Sequence, residues 1–271
     1  MSENAERLRV LTVANQKGGV GKTTTAINLG TALAAVGKRV LIIDSDPQGN
    51  ASTGLGILPQ MRKRTLYDVM IDGVPLDKVV LDTAVPGLRL APAEADLSGV
   101  ELELGQAARR AFRLKDALAP LRASNAYDYV FIDCPPSLNL LTINAMTAAD
   151  GVLVPLQCEF FALEGLTQLL RTVEQVRAAL NARLEIQGIV LTMYDKRNGS
   201  SALVAKDVRE HLGERVYNTV IPRNVRVSEA PAHGKPAVIY DLHCAGSQAY
   251  LNLARELIAR EHTRRLSEVG E

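Results

Sequence analysis

The stretch from Asn15 to Thr25, NQKGGVGKTTT, concentrates residue types that bind phosphate groups. The glycines at positions 18, 19 and 21 let the backbone turn successive N–H groups inward as an anion-binding nest. A helix predicted to begin at Thr23 adds the positive end of its dipole at the same point. Lys22 is placed to reach the β- and γ-phosphates of a nucleotide, and the Thr23 hydroxyl is placed to ligate Mg²⁺.

This loop departs from the usual phosphate-loop pattern G-x-x-x-x-G-K-[ST] at two neighbouring positions. Gln16 occupies the slot of the first glycine, and Lys17 adds a second lysine beside it. An exposed lysine in the anion field of the loop is solvated, paired with an acid, or bound to phosphate. Since Lys22 already serves the phosphates of its own loop, Lys17 is superfluous within one chain.

Two further segments place carboxylates where an apolar run ends. Asp44 and Asp46 lie in IIDSDPQGN, and Asp133 lies in YDYVFIDCPPS. Ligands of α/β sheets bind outside the carboxyl ends of the strands, so these acids belong beside the phosphate loop. A carboxylate there holds Mg²⁺ through water or aligns an attacking water on the γ-phosphate. Pro135 and Pro136 then turn the chain away without a helix, which is typical of a switch segment.

Apolar runs and helical patterns alternate along the chain and would position these groups. A strand at Leu8–Ala14, the loop, a helix at Thr23–Val36 and a strand at Arg39–Asp44 form a βαβ unit, whose crossover is right-handed. Further strands are predicted at Tyr129–Asp133, Gly151–Pro155, Ile186–Thr192 and Val216–Ile221. Further helices are predicted at Leu163–Leu180, Ser201–Leu212 and Gly246–Ala259, with weaker signals at Thr65–Met70 and Arg109–Leu121.

This alternation predicts an α/β fold, a doubly wound, mostly parallel twisted sheet with helices on both faces. The composition agrees, because 47% of the residues are hydrophobic, only 4% are aromatic and none is Trp. A core of Ala, Val, Leu and Ile suits a parallel sheet covered by helices. No Gly/Ser linker, low-complexity tract or internal repeat divides the chain. We therefore predict one domain over residues 1–271, without an N-terminal helix-turn-helix domain.

Charge and cysteine content exclude several classes of protein. The net charge of +1 means that any nucleic-acid-binding surface is local. Cys134, Cys158 and Cys244 form no C-x-x-C pair, which argues against a disulfide scaffold or a zinc site. There is no signal-peptide pattern and no run approaching the ~20 apolar residues of a membrane span. The sequence predicts a soluble cytoplasmic protein.

The segments KGGVGKTT, DSDPQGN and FIDCPPS, at these spacings, resemble the deviant-Walker ATPases, specifically the ParA/Soj group that partitions chromosomes and plasmids. The resemblance extends to IPRNVRVSEAPAHGKP and to the closing GSQAYLNLARELI. It implies a P-loop NTPase that binds ATP and Mg²⁺ and forms a homodimer around two ATP molecules. It also implies non-specific DNA binding, stimulation by a ParB-like centromere-binding protein, and a nucleoid-associated location.

The resemblance gives the extra lysine a role, because in this family Lys17 crosses the dimer interface to the partner's nucleotide. A second chain thus supplies the use that Lys17 lacks in its own loop, like an arginine finger given in trans. Lysine offers a point charge rather than a bidentate fork, so we expect slow intrinsic ATP hydrolysis.

The remaining catalytic and binding roles also follow from the resemblance. By this resemblance, Asp46 positions the attacking water, and Thr23 and Asp133 bind phosphate and Mg²⁺. Asp44 makes a further contact on the side of the site that holds Mg²⁺. The predicted phosphate-contacting residues are Lys17, Gly18, Gly19, Val20, Gly21, Lys22, Thr23 and Thr24. Late loops near the strand ends should grip adenine, and the candidates there are Met193, Pro222, Arg223 and Asn224.

The basic residues of the last third are interspersed with acids, so charge alone describes an ordinary solvated surface. The resemblance favours DNA binding there instead. Arg197, in YDKRNGSS, matches the position that the family uses for DNA, and Arg226 is a second candidate. Two such surfaces in a dimer would make several phosphate contacts, with an affinity that falls steeply with salt.

Three alternatives share parts of this pattern. A MinD-like membrane-associated positioning ATPase would need an amphipathic terminal helix, but beyond residue 258 only Leu266 and Val269 could insert as wedges. A relative of the nitrogenase iron protein would need paired cysteines around a cluster. A non-catalytic, ATP-dependent scaffold would carry the same motifs.

Overall fold

The computed structural model describes residues 8–159 and 162–269, with side chains up to residue 267. Val269, named above as a possible membrane wedge, therefore lies outside the described side chains. The described strands are β1 Arg9–Val13, β2 Val40–Asp44, β3 Leu81–Asp82, β4 Leu88–Ala91, β5 Tyr129–Asp133, β6 Gly151–Gln157, β7 Glu185–Tyr194 and β8 Val216–Pro222.

The helices lie between the strands. They are α1 Lys22–Ala35, α2 Asn50–Gly54, α3 Leu66–Met70, α4 Val100–Leu104, α5 Arg113–Ser124, α6 Leu140–Ala148, α7 Ala162–Ala179, α8 Gly199–Leu212, α9 Val225–Glu229, α10 Ala237–Tyr240 and α11 Ala245–Val269. Short 3₁₀ turns occupy Pro59–Met61, Leu76–Lys78, Ala95–Gly99, Arg110–Phe112, Gly213–Arg215 and Ala230–His233.

All eight described strands form one sheet in the order β3-β4-β2-β5-β1-β6-β7-β8. Every pairing is parallel except that of β3 with β4. The central strands β1, β2 and β5 are buried along their whole length, which their unbroken apolar runs require. The predicted doubly wound α/β fold is confirmed.

Successive residues of the central strands point to opposite faces and build two separate cores. Leu11 and Ile42 pack with α1 and α11 on one face. Val10 and Ile43 pack with the helices α5 to α8 on the other. Because buried hydrophobic residues cover both faces of the sheet, the strands that carry the phosphate loop and the acids at their carboxyl ends are held in place.

The structure differs from the sequence prediction chiefly in the second quarter of the chain. The strands β3 and β4 were not predicted, since each is short and β4 carries an exposed polar residue, Arg89, between buried ones. The segment after Asp133 is free of helix as predicted, but α6 then begins at Leu140.

The terminal helix α11 continues to Val269, whereas the prediction ended at Ala259. Its extension is fixed by Glu261, which is only 2% exposed and accepts a hydrogen bond from Nε of Arg9 at 3.0 Å. Within the described ranges, no helix has both the length and the apolar character that crossing a bilayer demands.

Candidate functional site

The phosphate loop joins the end of β1 to the start of α1 and is tied to the two strands beside it. The Asn15 amide donates to the Pro155 carbonyl in β6 at 2.8 Å, and Thr192 Oγ1 in β7 donates to the Val20 carbonyl at 2.8 Å. Gly21 caps α1 with φ 88° and no side-chain hydrogen bond. The first-turn N–H groups of α1 are therefore left for a ligand, as an anion site requires.

Lys22 lies inside its own loop. Its side chain is buried, and Nζ donates to the Lys17 carbonyl at 3.2 Å. Burial lowers the pKa of Lys22, while the negative charges of Asp133 and Asp46 oppose that shift. The ammonium group thus has acids nearby, but within the described part of the chain no carboxylate is bonded to it, and it can turn to phosphate.

Lys17 points out of the loop. Its Nζ forms an ion pair with Glu159 at 2.7 Å, and the two side chains are 41% and 51% exposed. Of the three fates weighed for this lysine, pairing with an acid is the one realised here. Exposed ion pairs contribute only about 0–1 kcal/mol, so this contact is easily exchanged for a stronger one.

Asp44 and Asp133 are register partners at the ends of β2 and β5, and both are fully buried. Burial raises the pKa of Asp44 to about 6, although hydrogen bonds from Ser52 oppose the shift. Burial and, second, the charge of Asp44 raise the pKa of Asp133 well above its ordinary value. Two adjacent buried carboxylates therefore resist ionisation until a cation approaches them.

The Asp133 carboxylate provides the test of whether Mg²⁺ fits this site. Both of its oxygens are buried and accept no well-formed hydrogen bond from the residues that the structure describes, although the nearby Thr23 hydroxyl favours the charged form. Among residues 8–159 and 162–267, no three His, Cys, Asp or Glu side chains group as a metal cage. Mg²⁺ bound with phosphates keeps several waters and needs only one or two carboxylates, so the donor set fits.

Asp44 and Asp46 differ in how their oxygens are used. Oδ2 of Asp44 accepts from the Ser52 N–H at 2.8 Å and from the Ser52 hydroxyl at 2.7 Å. Asp46 is 8% exposed, and among the described residues its carboxylate accepts one hydrogen bond, from the Gln48 N–H at 3.0 Å. Asp46 therefore has the free acceptor capacity that orienting a water requires, whereas Asp44 also anchors α2.

The predicted adenine loops lie beside the phosphate loop. Met193, at φ 50°, is the second-last residue of β7, and its Cε lies 3.9 Å from where a Cβ on Gly21 would be. Tyr194 pairs with Pro222 of β8, and the Arg223 N–H donates to the Tyr194 carbonyl at 3.0 Å. The Asn224 side chain caps α9. The adenine candidates thus form one edge, contiguous with the phosphate site.

The two DNA candidates follow the carboxyl ends of β7 and β8. Arg197 is 89% exposed and pairs with Asp195 through Nη2 at 3.0 Å, which lowers the pKa of Asp195 to about 2. Arg226 pairs with Glu229 at 3.2 Å and with Asp241 at 3.6 Å. Both arginines are reachable by a ligand, but each must exchange an acid for phosphate.

Sequence reasoning missed three partners of the site: Glu159, Ser52 and Thr192. Glu159 and Thr192 lie 142 and 172 residues from the loop residues that they contact. Ser52 follows the acidic segment closely, but nothing in its spacing marks it as the donor to Asp44.

Comparisons with known proteins agree with the geometry. A family model described as an AAA domain matches residues 8–186. The chromosome partitioning protein ParA of Caulobacter vibrioides is 69% identical over 261 residues, covering 96% of this chain and 98% of that protein. The sporulation initiation inhibitor protein Soj of Bacillus subtilis is 50% identical, covering 93% and 98%.

Among solved structures, cobyrinic acid a,c-diamide synthase of Mycobacterium smegmatis, with a bound ATP analog and magnesium, has a TM-score of 0.81. It is 39% identical and covers 93% of this chain and 94% of its own. A shared fold does not by itself fix the chemistry, so the relatives with higher sequence identity carry more weight for function.

Replacing Asp44 by Asn should stabilise the ligand-free protein in a pH-dependent way. The raised pKa of Asp44 means that wild-type stability falls as pH rises from 3.8 to about 6. Above that window the ionised Asp44 lowers the free energy of unfolding by up to about 3 kcal/mol, since each unit of pKa shift corresponds to about 1.4 kcal/mol. Urea unfolding of Asp44→Asn should show a gain at pH 7.5 that vanishes below pH 4 (about the unfolded pKa of Asp).

The exposed Asp72 supplies the matched control, because Asp72→Asn removes the same charge from a solvated site. Its unfolding free energy should follow the wild type at both pH values. A gain for Asp44→Asn of equal size at low and neutral pH would contradict the electrostatic explanation.

Proposed function

The chain belongs to the ParA/Soj family of chromosome-partitioning ATPases, and on that premise we propose that it is an ATP-dependent dimer switch that acts on DNA. Residues 1–271 act as one ATPase domain that hydrolyses ATP slowly, binds DNA non-specifically as a dimer, and is stimulated by a ParB-like partner. The cycle of binding and release segregates chromosomes or plasmids.

The observation that carries this proposal is the division of labour between the two lysines. Lys22 is buried within its own loop, whereas Lys17 extends outward and is paired with the exposed Glu159. A lysine on the outside of a phosphate loop cannot duplicate Lys22, but it can reach the nucleotide of a second chain. Dimer formation and nucleotide binding then depend on one side chain.

The other site residues prepare the phosphates for attack by water. The loop N–H groups and Lys22 neutralise phosphate oxygens, and Lys22 is already held inside the loop by its hydrogen bond to the Lys17 carbonyl. Thr23 and Asp133 would hold Mg²⁺, whose charge would draw electron density from the β- and γ-phosphates. Asp46 accepts a hydrogen bond from the water and so aligns it with the γ-phosphorus.

DNA binding rests on Arg197 and Arg226. Both are exposed at the edge that also carries the nucleotide site, so closing of two chains would bring two pairs of arginines together. Each is held by acids of its own chain, which limits its affinity for phosphate when only one chain is present. This supports binding that needs the dimer and weakens with salt.

A MinD-like membrane role has less support. The apolar stripe of α11 includes Tyr250, Leu253 and Leu257, which are each no more than 1% exposed within the core. Leu266, at 63% exposed, is the large apolar residue that the described end of the helix offers to solvent. One leucine gives too little apolar area for stable insertion.

Lys17→Ala should abolish ATP-dependent dimerisation and reduce hydrolysis, because it removes the charge given to the partner's nucleotide. Trans-acting cations of this kind contribute roughly 10³–10⁵ in rate, and for a lysine we expect the lower end. Light scattering with ATP would report the dimer, and phosphate release would report turnover. Unchanged dimerisation together with an unchanged ATPase rate would refute the assignment of Lys17.

Arg197→Glu should abolish DNA binding and leave ATP binding intact, since Arg197 lies outside the phosphate loop. A gel-shift assay in low salt would measure the first, and a fluorescent ATP analogue the second. The exposed Arg177, on α7 and paired with Glu174, offers a matched control. If Arg197→Glu binds DNA as well as the wild type does, Arg197 is not part of the DNA-binding surface.

Phosphate release measured with ATP alone, with DNA, with a ParB-like partner and with both would test the function as a whole. We expect slow release with ATP alone and marked stimulation when DNA and the partner are present together. No release under any condition would indicate a non-catalytic scaffold instead.

A further inference from the structure

Arg62 is a buried arginine directly behind the acidic segment of the site. It lies just beyond the Pro59–Met61 turn and is 8% exposed, whereas the adjacent Lys63 and Arg64 face solvent. The described residues supply no carboxylate to its guanidinium group. A charge removed from water this way is tolerated only when its donors are hydrogen-bonded.

Neutral acceptors take up the guanidinium donors. Nε and Nη2 donate to the Ile57 carbonyl at 3.0 and 2.8 Å, and Nη2 also donates to Thr53 Oγ1 at 2.8 Å. Nη1 donates to the Ala93 carbonyl at 2.9 Å. One side chain thus joins the end of α2 and the turn after it to the loop that follows β4.

Ala93 is bound from a second direction by the residue that holds Asp44. The Ala93 N–H donates to Ser52 Oγ at 3.2 Å, and Ser52 Oγ donates to Asp44 at 2.7 Å. Arg62 and Ser52 therefore bind the two backbone polar groups of one residue: Arg62 binds the Ala93 carbonyl, and Ser52 binds the Ala93 N–H. These two contacts form a clamp on Ala93. Separating α2 from the loop after β4 would therefore break the contacts of both Arg62 and Ser52.

The turn that carries Asp46 packs against this clamp. Gly49 has φ 62°, and its N–H donates to the Asp46 carbonyl at 2.9 Å. A Cβ at Gly49 would lie 2.5 Å from Nη1 of Arg62 and 2.9 Å from the Ala93 carbonyl oxygen. The backbone between Asp46 and α2 thus rests directly on the guanidinium group.

We propose that Arg62 is a positioning residue for ATP hydrolysis, which holds the turn after Asp46 so that the carboxylate faces the attacking water. The proposal rests on the function proposed above. Arg62 touches neither nucleotide nor water in this role. Its loss should therefore reduce kcat and leave nucleotide affinity nearly unchanged, because the phosphate loop has its own anchors.

The test compares phosphate release and ATP affinity in Arg62→Ala, Arg62→Lys and the exposed control Arg64→Ala. We expect kcat to fall about tenfold or more in both Arg62 variants, since small misplacements of reacting groups are costly. Lysine keeps the charge but cannot reach separated acceptors at once. ATP affinity should change less than threefold (about 0.6 kcal/mol), and Arg64→Ala should match the wild type.

Chemical rescue separates positioning from general destabilisation. Millimolar guanidinium chloride should restore turnover to Arg62→Ala by refilling the cavity, whereas equal sodium chloride should not. If Arg62→Ala does not fold, Thr53→Val, which removes one acceptor, should give a smaller kcat loss. Wild-type turnover in Arg62→Lys or Thr53→Val, or a loss confined to ATP affinity, would overturn the proposal.

The variant Asp46→Ala distinguishes failure of the positioning role of Arg62 from failure of the proposed function. If Asp46→Ala abolishes turnover while the Arg62 variants keep it, only the role of Arg62 is wrong. If Asp46→Ala hydrolyses ATP like the wild type, Asp46 does not orient the attacking water. The positioning role of Arg62, which depends on Asp46, is then wrong as well.

Discussion

Buried negative charge at the carboxyl edge of the sheet is the constraint on which the site depends. Asp44 and Asp133 end adjacent strands, Asp46 follows closely, and the buried cation Lys22 interacts with Asp133 and Asp46. Desolvation of the Asp44 and Asp133 carboxylates is unfavourable without a ligand, as their raised pKa values show. A bound cation with its phosphates relieves that cost, so stability lost in the free protein becomes affinity for the ligand.

The surrounding strands hold this carboxyl edge of the sheet, with its buried acids, in place. β6 holds Asn15, β7 holds Val20 through Thr192, and the loop after β4 holds α2 through Ala93. The first two contacts fix the phosphate loop to strands, and the third fixes α2 to the segment that continues β4. Preorganised donors need no rearrangement when charge develops, which is why such supports matter for catalysis as much as the residues that touch the phosphates.

Sequence alone predicted what depends on local pattern. Buried parallel strands require unbroken apolar runs, so β1, β2 and β5 were predicted nearly to the residue, and the phosphate loop followed from its glycines. The short β3 and β4 carry no such signal, because tertiary pairing rather than local propensity stabilises them. Glu159 and the inward turn of Arg62 also escaped, since contacts between distant segments are set by the fold and not by spacing.

The pairing of Lys17 with Glu159 explains how a lysine that is superfluous in one chain can be kept ready for another. The ion pair with Glu159 holds the Lys17 ammonium group at the surface, outside the loop that encloses Lys22. Breaking an exposed ion pair costs about 0–1 kcal/mol, and a contact with phosphate in a closed, dry interface is stronger. On the proposed function, the exchange is favourable only when a second chain and its nucleotide are both present, so neither alone can close the switch.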